Sequence, residues 1–224
     1  NTRYFGQRDM QLAVAVSHLA ALPIERVSLM ARVREEQRIR QLLQRFVAPV
    51  EAEFLLRSYL NTGNLPALSE QRLTVLYVDI AGSNGQAERM GARAVGELLE
   101  RYYQDITDIV FQYGGLLDKY LGDGVMAVFG MSGKGQPETR AVEAALEILR
   151  QIEARYRTAE RNIDIGIGIN TGNTLAGYVS TKERVELTVV GDAVNVAAGL
   201  ETLARPNRIL LGPETAIAVR GQFK

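Results

Sequence analysis

Residues 119–130 read KYLGDGVMAVFG, in which Asp123 lies between two glycines and two apolar runs. An Asp-Gly pair between apolar runs is typical of a tight hairpin, so this stretch predicts two antiparallel strands joined at Asp123. The acid can be an ordinary turn residue. A carboxylate held at a hairpin tip can equally be an oxygen ligand for a hard divalent cation.

A second acid ends an apolar strand further upstream. Residues 73–80 read LTVLYVDI, a nearly continuous apolar run that closes on Asp79 and precedes the loop 81–85. Such runs are typical of strands buried on both faces, where a carboxylate is costly unless it is paired or bound to metal. If the two strands are neighbours, Asp79 and Asp123 could together hold two metal ions roughly 3.5–4 Å apart, as in displacement at phosphorus.

The composition excludes several kinds of site. The chain has 224 residues with no Cys and a single histidine, His18, which excludes thiolate sites and argues against Ser-His-Asp triads. Its 26 acidic and 26 basic side chains give no reason to expect nucleic acid as a partner. No apolar run approaches the ~18 residues that span a bilayer, and no signal peptide is visible. We therefore expect a cytoplasmic protein with no membrane segment in this chain.

The first 70 residues predict helices and a linker. Residues 1–50 predict a helical signalling segment that Pro23 interrupts or kinks and Pro49 ends. Apolar positions between residues 24 and 46 fit heptads imperfectly, which predicts either a short parallel coiled coil or a single solvated helix. Residues 51–70 predict a short helix followed by a linker.

The remainder, residues 71–224, predicts alternating strands and helices. Helical spacing predicts one helix or two in succession over 86–113, then further helices over 138–156 and 192–203. Later strands are predicted at 163–169, 175–179, 186–190 and 208–211, with a turn at 171–173. The glycines of the segment 166–172 could suggest a phosphate cradle, but no helix follows them, so a strand that permits close backbone packing is favoured. The order predicts an α/β fold, a ferredoxin-like βαββαβ sandwich with an extra strand and helix.

Three separated motifs resemble the class III nucleotidyl cyclases, the family that makes cyclic AMP or cyclic GMP. They are VDIAGS at 78–83, DKYLGDGVMAVFG at 118–130 and TVVGDAVNVAAGLE at 188–201. The resemblance covers about residues 71–211. It implies that Asp79 and Asp123 bind two Mg²⁺ (or Mn²⁺) ions, with the Ile80 carbonyl as a third ligand.

The resemblance also implies a substrate and an assembly. Lys119 and Thr188 match the pair that reads adenine, whereas guanylyl cyclases usually carry Glu at the lysine position, so ATP is favoured over GTP. Asn195 matches a catalytic residue. The family works as a head-to-tail dimer, so in a homodimer one chain would give the two aspartates and the other Lys119, Thr188 and Asn195.

The ends of the chain carry weaker resemblances. Residues 4–22 look like the closing helix of a GAF-type sensor domain, which implies that an upstream sensor is missing. Family members usually carry a phosphate-gripping lysine in strands beyond residue 224, which implies that the C-terminal end is truncated.

One position departs from the family. Four residues after Asn195 the family has an arginine that stabilises the transition state, and here Gly199 stands in its place. Losing such a donor typically costs about 10²–10³ in rate. The resemblance therefore implies an adenylyl cyclase of low activity. The alternative is an inactive homologue that binds nucleotide and dimerises as a signalling module. Arg205, Lys182 or Arg184 could compensate for the missing cations.

Overall fold

A computed structural model describes residues 6–43, 49–81, 91–133, 135–158, 161–180 and 185–223. The chain forms two compact units, residues 1–45 and 46–224. Several predictions fall outside the described residues: the loop at 82–85, the start of the helix predicted from residue 86, and the side chains of Lys182 and Arg184. The domain bounds inferred from the sequence stay predictions.

The first unit contains one long helix, α1 (Gln7–Leu43). The predicted interruption at Pro23 is wrong, because the helix continues through it. A proline in a helix interior removes one backbone hydrogen bond and costs about 3 kcal/mol, but the flanking residues are mostly strong helix formers. Apolar side chains such as Leu12, Val27 and Met30 are exposed on α1. The coiled coil stays a prediction.

The second unit begins with helix α2 (Pro49–Thr62). Its first residue is proline, whose missing N–H costs nothing at that position. Ala52, Leu55 and Leu56 are buried. Gly63 follows the helix with φ of 73°, and its N–H donates to the Tyr59 carbonyl at 2.8 Å. A left-handed glycine in this position is a common helix terminator.

A six-stranded sheet forms the centre of the second unit. The described residues of this unit form the six strands of that sheet and a separate pair, β4 and β5: β1 (Ser69–Ala81), β2 (Leu116–Leu121), β3 (Gly124–Phe129), β4 (Arg157–Thr158), β5 (Arg161–Asn162), β6 (Asp164–Ser180), β7 (Val185–Val190) and β8 (Arg208–Leu211). The further helices are α3 (Ala92–Gln112), α4 (Pro137–Tyr156), α5 (Asp192–Ala204) and α6 (Pro213–Ala218). The sheet order is β2-β3-β1-β6-β7, with β8 parallel to β6, and β4 and β5 form a separate short pair. The predicted ferredoxin-like α/β sandwich is confirmed.

Helices α3 and α4 share a hydrophobic core with one face of this sheet. From β1 this core takes Leu76, Val78 and Ile80, and from α3 it takes Tyr102 and Ile106. Burying a side chain of this size stabilises the fold by about 1.5–3 kcal/mol. Successive strand residues point to opposite faces, so Asp79, between Val78 and Ile80, points away from this core.

Strand β6 is longer than the sequence predicts. The turn predicted at residues 171–173 is wrong, because β6 runs unbroken and pairs with β1 from Asp164 to Ala176. Three buried threonine hydroxyls form a row of hydrogen bonds. The hydroxyl of Thr171 is at its centre, 2.9 Å from that of Thr74 and 2.9 Å from that of Thr215. The Thr-Gly-Asn sequence that resembles a turn therefore serves packing between β1, β6 and α6.

Glycines on β6 let helix α5 approach the other face of the sheet. A Cβ at Gly166 would lie 2.4 Å from the Glu201 carbonyl oxygen, and one at Gly168 would lie 2.1 Å from that of Ala197. Neither distance is possible for a real side chain. The glycines therefore serve close packing, as predicted, and α5 is fixed against the end of β1 that carries Asp79.

The two strands at the ends of the sheet order, β2 and β7, approach one another. Although β2 and β7 stand first and last in the strand order, they lie in contact. This brings the strand that carries Lys119 to the strand that carries Thr188. Within the described ranges, no helix combines the length and the apolar character that a bilayer crossing requires.

Candidate functional site

The β2–β3 hairpin presents Asp123 on a two-residue loop. Leu121 pairs with Gly124, which leaves Gly122 and Asp123 as the loop. Gly122 has φ of 67°, a value that glycine adopts without strain at the first position of a type II′ turn. The Tyr103 hydroxyl of α3 donates to the Gly122 carbonyl. Helix α3 thus holds the loop that carries Asp123.

The hairpin lies beside the end of β1, where Asp79 is found. Pairing between β1 and β3 includes Val78 with Val125, one residue before Asp79. A Cβ on Gly124 would lie 3.4 Å from Asp79 Oδ1, so the hairpin backbone passes directly by this carboxylate. The fold therefore brings Asp79 and the Asp123 turn to the same end of the sheet.

The surroundings of Asp79 disfavour its charged form. Burial, which is the largest cause, and the nearby charges of Asp123 and Glu201 together raise the pKa of Asp79 to about 6. The charge of Arg205 and the Ile80 N–H oppose this shift. The Ile80 N–H donates to Asp79 Oδ1 at 2.9 Å. A carboxylate under this repulsion is stabilised by any cation that binds between it and Asp123.

Arg205 supplies a cation to Asp79 from within the chain. Its Nη2 donates to Asp79 Oδ2, and its Nε donates to Glu201 Oε1 at 2.7 Å. Sequence reasoning named Arg205 only as a possible compensating cation and missed this contact with Asp79. The available signal covered only the Glu201 contact: Arg205 directly follows α5 and stands four residues after Glu201 in the sequence.

The donor set fits a divalent cation that keeps other ligands. Across the part of the chain that the structure describes, no group of three or more His, Cys, Asp or Glu side chains is placed to hold a metal ion. Mg²⁺ is commonly bound by one or two carboxylates together with water and substrate phosphates. Asp79 and Asp123 could supply that pair. The Ile80 carbonyl as a further ligand stays a prediction.

Lys119 lies on the sheet face opposite the α3–α4 core. In the strand register Lys119 pairs with Met126, and Met126 pairs with Tyr77, so the three form one row across β2, β3 and β1. Thr188 lies on β7, where it pairs with Gly177 of β6, and β7 is the strand in contact with β2. The fold thus brings the strands of Lys119 and Thr188 together within one chain.

Asn195 and Gly199 lie on the exposed side of α5. The buried side of this helix is formed by Ala193, Ala197 and Glu201. A Cβ built on Gly199 meets no atom within 4 Å. Residues four apart on a helix share a face, so a longer side chain at position 199 would extend beside Asn195 into open space.

Asp118 is a buried acid that sequence reasoning did not select. Its side chain has 0% exposure, and Oδ2 lies 3.4 Å from Lys119 Nζ. Burial, the largest cause, raises the pKa of Asp118 to about 6, the Lys119 charge opposes this, and the Glu186 charge adds to it. In the sequence, only the position of Asp118 next to Lys119 indicates a functional role.

This raised pKa predicts a fall in stability with rising pH. Between about pH 4 and pH 6 the folded chain keeps the Asp118 proton that the unfolded chain has lost, so the free energy of unfolding decreases across this window. Asp118→Asn should remove that part of the decrease and gain about 1–3 kcal/mol at pH 7, at about 1.4 kcal/mol per pKa unit. Urea unfolding at pH 4, 5, 6 and 7 measures it.

The matched control for this experiment is Glu143→Gln, which neutralises an exposed acid on α4. Its unfolding free energies should run parallel to those of the wild type. If the unfolding free energies of Asp118→Asn also ran parallel to those of the wild type, Asp118 would not be the group that keeps a proton in the folded chain.

Comparison with known sequences identifies one family. The sequence model for the adenylate and guanylate cyclase catalytic domain matches residues 65–224. An uncharacterised protein of Mycobacterium tuberculosis is 36% identical over 186 residues, which make up 82% of this chain and 31% of that protein. The chain thus spans about a third of the length of the mycobacterial relatives it matches.

Solved structures give the same result. The adenylyl cyclase CyaB from P. aeruginosa is 31% identical with a TM-score of 0.61, over 68% of this chain and 82% of that one. The guanylate cyclase domain of RhGC from Catenaria anguillulae, in complex with GTP, is 26% identical with a TM-score of 0.64, over 70% of this chain and 86% of that one.

Proposed function

Because the chain belongs to the adenylate and guanylate cyclase catalytic domain family, we propose that it converts ATP to cyclic AMP and pyrophosphate in intracellular signalling. The observation that carries this proposal is the approach of the Asp123 turn to Asp79 at one end of the sheet. Although Arg205 pairs with Asp79, burial and the charge of Asp123 still raise the pKa of Asp79 to about 6, so a further cation would stabilise the two carboxylates, which supports a binding role over a structural one.

Two Mg²⁺ (or Mn²⁺) ions would be held by Asp79, Asp123 and the Ile80 carbonyl. Metal ions held there would supply positive charge that lowers the pKa of the ribose 3′-hydroxyl and neutralises charge on the leaving pyrophosphate. The chain's own residues prepare the site: Tyr103 holds the Asp123 turn, and the Ile80 N–H orients the Asp79 carboxylate. Asn195, on the exposed face of α5, is the candidate to orient the α-phosphate.

Lys119 and Thr188 are the candidates for reading the base. Adenine presents a ring-nitrogen acceptor beside an amino donor. An ammonium group can only donate, and a hydroxyl can accept, so the two residues match that edge. Guanine presents an N–H at the ring position, which would face the ammonium unfavourably. The contact between β2 and β7 supports this pairing of roles.

A homodimer would complete each site, with the two aspartates from one chain and Lys119, Thr188 and Asn195 from the other. Exposed apolar side chains on β6, β7 and α5 support such an interface, since they have no cover in a single chain. They are Leu175, Val179, Val190, Val196 and Leu203. The coiled coil over residues 24–46 would add a second contact between the chains.

The second candidate function is a nucleotide-binding, dimerising module with little or no turnover. Gly199 favours it, because glycine cannot supply the charge that an arginine brings to the transition state. The matched region makes up about a third of the mycobacterial relatives, so further chain accompanies it there. We propose that a sensor domain precedes this region in the whole protein and that the protein works in the cytoplasm.

Base choice is tested by Lys119→Ala. We expect kcat/KM for ATP to fall by about 10- to 100-fold, the equivalent of one charged hydrogen bond, and the preference for ATP over GTP to shrink similarly. Initial rates with both nucleotides give this ratio, and Arg220→Ala, which removes an exposed cation, is the control. Equal use of ATP and GTP by the wild type would contradict the assignment to adenine.

A further inference from the structure

Strand β2 contains an irregularity at Asp118. Leu117 pairs with Ala127 and Lys119 pairs with Met126, which are consecutive residues of β3, so Asp118 is the extra residue of a β-bulge. In a regular strand, neighbouring side chains point to opposite faces. The bulge breaks this alternation, and Asp118 Oδ2 comes within 3.4 Å of Lys119 Nζ.

Little else stabilises the Asp118 carboxylate. Among the residues that the structure describes, neither of its buried oxygens has a hydrogen-bond partner. The 3.4 Å contact with Lys119 is an ion pair, longer than the 2.7–2.9 Å usual for charge-assisted hydrogen bonds. A buried acid with one long contact weakens a fold. Asp118 therefore does not serve stability.

The surroundings of Asp118 are those of the proposed base-reading residues. Its charge acts on Tyr77 of β1, and it feels the charge of Glu186 on β7. Glu186 and Thr188 are two residues apart on one strand, so their side chains leave β7 on the same side. Asp118 and Lys119 thus lie at the junction of β2 and β7.

We propose that Asp118 is a positioning residue that holds the Lys119 ammonium toward the purine ring and thereby sets the preference for adenine over guanine. The inference rests on the base-reading role proposed above for Lys119. An ammonium on a flexible four-carbon stem loses much side-chain freedom when it binds one acceptor. A carboxylate fixed at the adjacent residue restricts the ammonium beforehand, so less freedom is lost when the base arrives.

The contact between Asp118 and Lys119 also accounts for a preference for adenine over guanine. The ammonium has three donors, so its contact with Asp118 leaves others for a ring nitrogen of adenine. With guanine, the N–H at the ring position would meet the same ammonium, while the carboxylate that could accept this N–H is buried beside Lys119. Loosening the pair should therefore weaken ATP binding more than GTP binding.

The test compares Asp118→Asn, Lys119→Ala and the double variant in the full chain. Titration calorimetry in Mg²⁺ measures the affinities for the 3′-deoxy forms of ATP and GTP, which keep the base but lack the attacking hydroxyl and so cannot be turned over. We expect Asp118→Asn to weaken ATP binding about 10-fold, with a smaller effect on GTP, as for loss of one charged contact. In the Lys119→Ala background the same substitution should change neither affinity further, since the pair acts as a unit.

The outcomes separate this inference from the proposed function. An unchanged ATP-to-GTP affinity ratio in Asp118→Asn, with a changed ratio in Lys119→Ala, overturns the role of Asp118 alone. An unchanged ratio in Lys119→Ala overturns the base-reading role and this inference with it. Equal weakening of both nucleotides by Asp118→Asn would show a structural effect and also overturns the inference. Asp118→Asn keeps the shape of the side chain and is expected to fold.

Discussion

Replacing Asp123 by asparagine is expected to lower the rate of cyclic nucleotide formation by about 10³-fold or more. Charge stabilisation by bound metal is worth several kcal/mol, and each 1.36 kcal/mol is about tenfold in rate. Asparagine is favoured in turns and keeps the side-chain shape, so the Gly122–Asp123 loop should fold as before. Initial rates at saturating ATP and Mg²⁺ measure the loss. The loss is best measured in a Gly199→Arg background, because the rate before the Asp123 substitution is expected to be higher there and a large decrease is then easier to measure.

Two further observations accompany this prediction. Mn²⁺ affinity, followed by electron paramagnetic resonance, should weaken at least about tenfold, as expected when one of two carboxylate ligands is lost. Glu143→Gln, which neutralises an exposed acid on α4, should alter neither the rate nor the affinity. A rate for Asp123→Asn within tenfold of its parent would contradict metal binding by Asp123.

Gly199→Arg is expected to raise the rate by about 10²–10³, the typical worth of one preorganised donor at a developing charge. The structure offers no steric obstacle, since a Cβ at this position meets no atom within 4 Å. The new side chain would share the exposed helix face of Asn195, the residue proposed to orient the α-phosphate. Initial rates with ATP and Mg²⁺ measure the gain.

Gly199→Ala separates charge from helix propensity. Alanine stabilises a helix interior by about 1 kcal/mol relative to glycine, so this variant should be more stable but no faster. Equal rates for Gly199→Arg and the wild type would show that another cation already serves the transition state. Arg205 would then be the first residue to replace, because it lies at Asp79.

Local pattern was sufficient to predict most of the catalytic-domain fold. The apolar run ending at Asp79 and the Gly-flanked hairpin at Asp123 predicted two strands, and a shared site if those strands were neighbours. Pairing of Val78 with Val125 makes them neighbours. The turn predicted at residues 171–173 failed because glycine and threonine there serve contacts with α5 and α6, which only the tertiary structure reveals.

Two functional candidates could not be found from local pattern. Arg205 reaches Asp79 across 126 positions of sequence, and its proximity depends on the packing of α5 against β6. Asp118 looks like an exposed strand residue until the bulge in β2 is known. In both cases the side chain gains its importance from neighbours that are distant in sequence or from a local irregularity of the backbone.

The most direct measurement incubates the purified chain with ATP and Mg²⁺ or Mn²⁺ and identifies the products by mass spectrometry. We expect cyclic AMP and pyrophosphate in equal amounts, with less cyclic product from GTP and none detectable from Asp123→Asn. If the wild type formed no cyclic nucleotide while Gly199→Arg did, the result would contradict catalysis by this chain and favour a nucleotide-binding module.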